Sequence, residues 1–262
     1  MDLHLVSKVA AVTGASKGIG LAITAALAEE GACVAAGARE MGDDLQRLAA
    51  TRQVHPVAVD LSAPEGPGQL IQATVARFGR LDILINNVGA VHPRTGGFLS
   101  IADDDWLATL NIDLFAAIRT TRAALPHLLE RGAGSILSVC SVNAFLPDPL
   151  VMDYSAAKAA LANFSKSLSK EVGPRGVRVN TVSPGPVATE LWLGKDGVAA
   201  TLARAGNGQP DSVAQRAAND AVTGRFTRPQ EVADLVVFLA SDRVANVTGA
   251  DFVIDGGLTT TL

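Results

Sequence analysis

The sequence contains a single tyrosine, two cysteines and few charged residues. Only 18% of its 262 residues are charged, and the formal net charge is −4. A nucleic-acid partner held by phosphate contacts requires a basic patch, so this charge balance argues against such a partner. No apolar run reaches the length that a bilayer-spanning helix needs, so no membrane association is expected.

Metal-binding and disulfide-forming residues are equally sparse. Cys33 and Cys140 each lie in an apolar, strand-like segment, which favours buried free thiols over a disulfide. The four histidines show no metal-ligand spacing with the cysteines, so we expect no metal site. The first residues, MDLHLVSKVA, contain no secretory signal, and together with free thiols this predicts a cytoplasmic protein.

Short apolar runs alternate with longer helical patterns along the whole chain. The run LDILINNVG is apolar along its length, as expected for a strand whose two faces are both covered in a parallel sheet. No proline- or serine-rich linker interrupts the alternation. The pattern predicts a single α/β domain over residues 1–262, with a doubly wound parallel sheet of about seven strands and helices on both faces.

The segment 189–225 departs from this alternation. It is rich in glycine and appears irregular by pattern, and irregular segments of this length inside a compact domain are usually functional. It follows a strand end, where open α/β sheets bind ligands. We therefore predict a substrate-binding loop or lid, with an ordinary surface excursion as the alternative.

A glycine-rich turn, TGASKGIG, follows the first strand and opens the first helix. Its glycines allow a tight turn and a close approach of the backbone to a diphosphate, which the helix N-terminus then favours electrostatically. In this strand–turn–helix context the motif predicts a dinucleotide site. The turn residues assigned to the cofactor are Gly14, Ser16, Lys17, Gly18, Ile19 and Gly20.

The same letters match the G-x-S-x-G nucleophile elbow of hydrolases, with Ser16 as the nucleophile. In that fold the acid and the histidine follow the serine. Three histidines follow Ser16, but the last is His127 and none lies near the late position expected in a hydrolase, so the hydrolase alternative is disfavoured.

The end of the second strand indicates which cofactor is preferred. An acidic residue about twenty positions beyond the glycines usually binds the adenosine ribose of NAD. Ala38 stands there instead, followed by Arg39, and Lys17 is within reach of the same group. Two basic residues and no acid suit a 2′-phosphate, so NADP(H) is favoured and NAD(H) remains possible.

Two further strand ends supply cofactor candidates. Asp60, with Leu61 after it, ends the third strand, where its carboxylate could accept a hydrogen bond from the adenine amine or could cap the following turn. In NNVG, Gly89 would let the chain pass close to a ribose beside Asn87. The asparagines could equally tie backbone to backbone.

The lone tyrosine lies one helical turn before a lysine. A free tyrosine titrates near ~10, and a nearby ammonium stabilises its phenolate, so Lys158 could make Tyr154 an acid–base catalyst. Ser141 ends a strand, where its hydroxyl could bind a carbonyl oxygen. Asn111 interrupts a helical pattern, and its amide or a distorted backbone carbonyl could hold a water beside Lys158.

These motifs, in this order and spacing, resemble the short-chain dehydrogenase/reductase family, particularly its 3-oxoacyl reductases and ketoreductases. The resemblance covers the chain from end to end and implies a single-domain Rossmann fold and hydride transfer between a nicotinamide and a carbonyl or secondary alcohol. It implies that Tyr154 is the general acid and Ser141 orients the carbonyl oxygen. Lys158 would lower the pKa of Tyr154 and, with Tyr154, bind the nicotinamide ribose, and Asn111 would feed protons through water. The motif PGPVAT would line the nicotinamide through Pro184, Gly185, Val187 and Thr189.

The resemblance also implies a homo-oligomer, a dimer or tetramer. Two positions depart from the family pattern: Val88 replaces the usual alanine of NNAG, and Cys140 precedes the serine where another serine is common. The expected substrate is a small ketone, a β-keto ester or a 3-oxoacyl compound. Two alternatives stay open at this point: a non-catalytic NAD(P)-binding sensor or scaffold, and an NAD-dependent alcohol dehydrogenase of the same family.

Overall fold

Seven parallel strands form one sheet in the order β3-β2-β1-β4-β5-β6-β7. The computed structural model describes residues 1–260, so the last two residues of the predicted domain lie outside the described chain. The strands are β1 Val9–Thr13, β2 Cys33–Ala38, β3 Val54–Ala58, β4 Ile83–Asn86, β5 Gly134–Val139, β6 Val177–Pro184 and β7 Asp251–Ile254.

Ten helices connect and cover the strands within residues 1–260. They are α1 Gly18–Glu29, α2 Asp43–Thr51, α3 Gly66–Phe78, α4 Asp103–Leu110, α5 Ala116–Arg131, α6 Met152–Val172, α7 Glu190–Leu193, α8 Val198–Ala205, α9 Pro210–Asn219 and α10 Pro229–Ala240. Each described helix is too short or too polar to cross a bilayer.

Successive residues of a strand point to opposite faces of the sheet, and both faces are buried. In β4, Ile83 and Ile85 belong to a core formed with α1 and α10, whereas Leu84 belongs to a second core formed with α3, α5 and α6. The predicted doubly wound Rossmann sheet is therefore confirmed. Cys140 is buried and Cys33 half-buried, and both are free thiols.

The strand order reverses between β1 and β4, since β1 pairs with β2 on one side and with β4 on the other. Ligands of open α/β sheets bind outside the carboxyl ends of the strands at such a point. The glycine turn follows β1 and the NNVG motif includes the end of β4, so both motifs lie at this crevice.

The prediction that residues 189–225 are irregular was wrong. The segment contains the three short helices α7, α8 and α9. Glycines separate these helices, which hid their periodicity: Gly197, for example, is pressed against backbone carbonyls of α7, where a Cβ would lie 2.8 Å from the Trp192 oxygen. Each of these helices is too short for the helical spacing of its apolar residues to be recognised in the sequence.

Candidate active site

The glycine turn has the backbone geometry that its residues predict. Gly14 and Gly18 adopt positive φ angles of 65° and 55°, a region that favours glycine. A Cβ at Gly20 would overlap the carbonyl oxygen of Gly14 and the side-chain nitrogen of Asn87. Helix α1 therefore begins in direct contact with the turn, which only glycine permits.

The first turn of α1 fits an anionic group. No side chain caps it, so its backbone N–H groups face the crevice without a side-chain acceptor. Thr189 lies against this turn, because a Cβ at Gly18 would be 3.3 Å from its methyl carbon. A diphosphate would therefore be held between the N-terminus of α1 and Thr189.

Two of the predicted cofactor residues have structural roles of their own. Asn87 donates from its amide to the carbonyl oxygens of Thr13 and Gly14, at 2.9 and 3.2 Å, and so ties β4 to the glycine turn. Asp60 accepts hydrogen bonds from the backbone and hydroxyl of Ser62, which cap the following turn and lower the pKa of Asp60. Asn87 thus ties backbone to backbone and Asp60 caps a turn, the roles that the sequence analysis gave as alternatives to cofactor binding.

Arg39 and Lys17 are exposed at the rim of the crevice. Within residues 1–260 neither side chain forms a hydrogen bond or an ion pair. Both cations are therefore available to an external anion. Glu40 lies at the same rim and is the one carboxylate next to Arg39 in the chain.

A single cleft of about 1410 Å³ runs from the glycine turn across the carboxyl ends of the strands to α6. Its walls include the turn, the segment after β4, the ends of β5 and β6, and helix α7. The predicted residues that line it are Gly14, Ser16, Lys17, Gly18, Ile19, Gly20, Arg39, Asp60, Leu61, Asn87, Gly89, Ser141, Tyr154, Lys158, Pro184, Gly185, Val187 and Thr189.

Tyr154, Ser141 and Lys158 meet at the far end of this cleft. Lys158 is buried, with its Nζ 5.5 Å from the centre of the Tyr154 ring and donating to the Val139 carbonyl at 3.2 Å. Burial of the phenol raises the pKa of Tyr154 above its ordinary value, while the charge of Lys158 and the hydroxyl of Ser141 lower it in part. Lys158 thus opposes the effect of burial, as the sequence predicted, without reversing it.

The Ser141 hydroxyl has a partner that the sequence analysis missed. It donates to the Asn143 side-chain oxygen at 3.1 Å and accepts from the Asn143 backbone N–H at 3.2 Å. Asn143 also lines the cleft. An asparagine two residues after the serine is the sequence signal that could have pointed to it.

The Asn111 side chain does not reach Lys158, so only the alternative role of its backbone carbonyl as a water ligand stays a prediction. Its carboxamide donates to the Ser62 carbonyl at 2.8 Å and accepts from Arg119 at 2.7 Å, and it does not line the cleft. The backbone is distorted there: residues Asn111–Phe115 form a π-helical turn between α4 and α5, in which the Asn111 carbonyl accepts from the Ala116 N–H. The Asn111 carbonyl therefore accepts a hydrogen bond within the π-helical turn itself.

Asp113, two residues later, is the charged residue of this turn that lines the cleft, next to Ile112. It is fully buried, and its Oδ1 lies 3.5 Å from Lys158 Nζ. Burial raises the pKa of Asp113 to about 6, although the positive charge of Lys158 lowers it in part. An aspartate inside the apolar run NIDLF was the overlooked signal, since charged residues are rarely buried unless paired.

The segment after β4 is held to α6 by Arg94. Its guanidinium donates to Asp153, the residue before Tyr154, at 2.6 Å and to Asp105 at 3.0 Å. Thr109 also donates to Asp153. Arg94 was not singled out from sequence, because nothing in the chain near it marks its partners.

The motif PGPVAT begins at Pro184, the last residue of β6, and lines the cleft beside the glycine turn. Gly185 packs against the C-terminal segment, where a Cβ would lie 2.9 Å from that of Asp255. Val187 is buried and forms an isolated bridge with Thr227. Among residues 1–260 no group of three or more histidine, cysteine or acidic side chains is arranged to hold a metal ion.

Comparison with known proteins identifies the fold and the reaction class. A family model described as enoyl-(acyl carrier protein) reductase matches residues 14–259. Curated relatives include a 3-oxoacyl-(acyl-carrier-protein) reductase of Thermotoga maritima, 32% identical and covering 98% of this chain and 99% of that protein. The chain belongs to the short-chain dehydrogenase/reductase family.

Other members of this family are similar over the same length. D-threitol dehydrogenase of Mycolicibacterium smegmatis is 38% identical, covering 98% of this chain and 95% of its own. The crystal structure of L-sorbose reductase from Gluconobacter frateurii, complexed with NADPH and L-sorbose, superposes with a TM-score of 0.91 at 35% identity, covering both chains fully.

This membership makes the protein an NAD(P)-dependent oxidoreductase acting on CH–OH and C=O groups. The predicted family and enzyme class are thereby confirmed. The sensor or scaffold alternative and the hydrolase alternative receive no support, and Ser16 has no histidine partner among the described residues.

Proposed function

We propose that this protein is an NADP(H)-dependent carbonyl reductase in which Tyr154 is the general acid. The observation that carries the proposal is the shared cleft. Tyr154, Ser141 and Lys158 meet at one end of it, and the uncapped N-terminus of α1 lies at the other. A dinucleotide spanning that distance would bring its nicotinamide to the tyrosine.

The chain's own residues account for the proton chemistry. A bound nicotinamide supplies or accepts the hydride. When substrate binds, the Ser141 O–H turns from the Asn143 side-chain oxygen to donate to the substrate carbonyl oxygen, whose developing charge it stabilises, while the Asn143 backbone N–H still donates to Ser141. Tyr154 donates a proton to that oxygen, and Lys158 stabilises the phenolate that remains. Asn111 supports the site through the π-helical turn, and its predicted contact with a relay water stays a prediction.

The preference for NADP(H) rests on Arg39 and Lys17. Both lie at the cleft rim with no partner in residues 1–260, and Ala38 stands at the end of β2, where an NAD-specific site has a carboxylate for the ribose. The L-sorbose reductase complex contains NADPH, which agrees with this preference.

The proposed substrate is a small, uncharged ketone or β-keto ester. The lining of the cleft includes the apolar side chains of Val142, Leu146, Leu150, Val151, Leu191, Trp192 and Leu202. The basic residues of the segment 189–225 stay outside the lining, whereas Asp148, Glu190 and Asp220 belong to it. Because the lid segment brings acidic and no basic side chains to the lining, an acidic carrier protein is disfavoured as the substrate donor.

A ketose or other polyol is the second candidate. Asn143 and His92 add polar groups to the apolar lining of the cleft, and such groups suit hydroxyl-bearing substrates. The relatives named L-sorbose reductase and D-threitol dehydrogenase act on compounds of that kind.

The segment 189–225 is proposed as the substrate lid. Its helix α7 contributes Leu191 and Trp192 to the cleft, and Trp192 stacks edge-on against Phe226 with ring centroids 5.4 Å apart. Leu191 and Trp192 of the lid would then form an apolar surface that contacts the substrate.

The Tyr154→Phe variant tests the catalytic assignment. Removing the hydroxyl leaves the ring and its packing but no proton donor, so kcat should fall at least about 100-fold while NADPH affinity changes little. The measurement is NADPH and NADH oxidation with ketones, β-keto esters, ketoses and 3-oxoacyl thioesters, alongside NADPH binding by fluorescence. Turnover retained by the variant would contradict the proposal.

A further inference from the structure

Asp113 is a buried acidic residue to which the proposed reaction assigns no role. It lies in the π-helical turn between α4 and α5, is 1% exposed and lines the cleft. A carboxylate at this depth requires a partner that offsets its loss of solvation. The partner is Lys158, which is itself 3% exposed.

Three groups converge on the Asp113 carboxylate. Lys158 Nζ lies 3.5 Å from Oδ1, and the backbone N–H of Ala90 donates to both oxygens at 3.3 and 3.4 Å. The third is the backbone of Gly89, which packs so closely that an added Cβ would lie 2.6 Å from Oδ1 and 3.3 Å from Lys158 Nζ. The glycine of NNVG therefore leaves room for this ion pair.

The contacts of Lys158 limit where its ammonium can sit. An ammonium has three donors. One is directed to the Val139 carbonyl and one faces Asp113, which leaves a single donor for the cleft. A lysine on a flexible stem is thereby fixed in one position beside Tyr154.

The titratable groups that face this pair come from three elements. Tyr154 and Asp153 approach from α6, Cys140 from the end of β5, and Asp113 from the π-helical turn. Asp153 is neutralised by Arg94. The negative charge on Asp113 opposes ionisation of the Tyr154 phenol, and the positive charge on Lys158 favours it.

We propose that Asp113 is a positioning residue, which holds the Lys158 ammonium as its counter-ion and keeps the Tyr154 phenol protonated for donation to a carbonyl. The inference rests on the proposed function of Tyr154. Asp113 would then favour reduction over oxidation, because the protonated phenol donates the proton that carbonyl reduction needs. Alcohol oxidation needs the phenolate instead.

The single tyrosine of the chain makes this testable without turnover. Any tyrosinate absorbance in the near ultraviolet must come from Tyr154. In Asp113→Asn the negative charge is lost and the side-chain shape is kept. We expect the tyrosinate titration to move to lower pH by about one unit, as for removal of a neighbouring like charge.

Asp82→Asn is the matched control. Asp82, like Asp113, is a buried aspartate in an ion pair, but its partners are arginines. It precedes β4, at the end of the sheet opposite the cleft. Its loss should leave the tyrosinate titration unchanged. Circular dichroism at each pH shows that the signal comes from folded protein, and Asp113→Ser replaces Asp113→Asn if the latter does not fold.

An unchanged titration, or one moved to higher pH, overturns the inference. If tyrosinate forms in either protein only on unfolding, the pH profile of kcat/KM for alcohol oxidation decides, with its rising limb expected at lower pH in Asp113→Asn. Failure of the proposed function would show differently, as a Tyr154→Phe variant that still turns over.

Discussion

Single residues at the cleft act through charges that lie within one or two side chains of each other. Burial raises the pKa of Tyr154, and Lys158 opposes that effect, so the reactivity of the phenol depends on the ammonium beside it. Burial alone would lower the pKa of Lys158, but the surrounding Tyr154, Asp113 and Cys140 raise it on balance. At neutral pH the lysine therefore keeps its positive charge although it is buried.

Cofactor choice is also decided by single side chains. In Arg39→Asp a cation that would bind a 2′-phosphate becomes an anion that repels it and can accept from a ribose hydroxyl. We expect the ratio of NADPH to NADH affinity to fall at least roughly tenfold, the size of one charge-assisted hydrogen bond. Measured dissociation constants for both cofactors test this.

Glu40→Gln is the control for Arg39→Asp, because it changes charge at the adjacent rim position without removing the proposed phosphate contact. An unchanged affinity ratio in Arg39→Asp would show that Arg39 is only a solvated surface charge.

At the scale of elements, α10 is held to the sheet by one guanidinium. Arg178 in β6 donates to the carbonyls of Leu239, Ala240 and Ser241 at 2.9, 3.2 and 3.0 Å, where α10 ends. These carbonyls have no partner within the helix. Since α10 packs on α1 in the same core, this cap supports the helix that begins at the glycine turn.

Arg178→Met should therefore destabilise the fold. The methionine keeps apolar bulk but leaves several carbonyls without donors, at a cost of about 3 kcal/mol. Urea unfolding measures the difference. The exposed Arg52→Met is the matched control and should change the free energy of unfolding by less than about 0.5 kcal/mol. Equal stabilities for the two variants would rule out the capping role.

Over the whole molecule, the two walls of the cleft differ: one is held by an ion pair, and the other consists of short helices. Arg94 joins the segment after β4 to α6 through a buried ion pair, and losing one partner of such a pair is strongly destabilising. The opposite wall consists of α7, α8 and α9, joined by exposed turns such as Gly206–Asn207–Gly208. Motion of the cleft is expected on that side.

Limited trypsin digestion tests the proposed lid. Lys195 and Arg204 are exposed cleavage sites within it, and NADPH would contact the adjoining Thr189. We expect saturating NADPH to slow cleavage at these two sites several-fold, because ligand binding suppresses local opening. Cleavage after the distant, exposed Arg52 should be unaffected. Equal protection at all three sites would indicate global stabilisation in place of a lid.

The fold and most of the site could be predicted from sequence because they depend on local patterns. Apolar runs gave the seven strands, and Gly14, Gly18 and Gly20 marked a turn whose geometry only glycine permits. Tyr154 and Lys158 lie on one helix, so their separation is set by helical geometry alone. Each of these relations spans only a few residues.

Tertiary structure decided the contacts between segments far apart in the chain. The pairing of Asp113 with Lys158, the bonds of Asn111 to Ser62 and Arg119, and the tie between Arg94 and Asp153 each depend on how helices pack against the sheet. No local pattern encodes which buried charges meet. The sequence by itself therefore determined the scaffold and the reacting groups, and the packing of the folded chain determined the electrostatic surroundings in which those groups react.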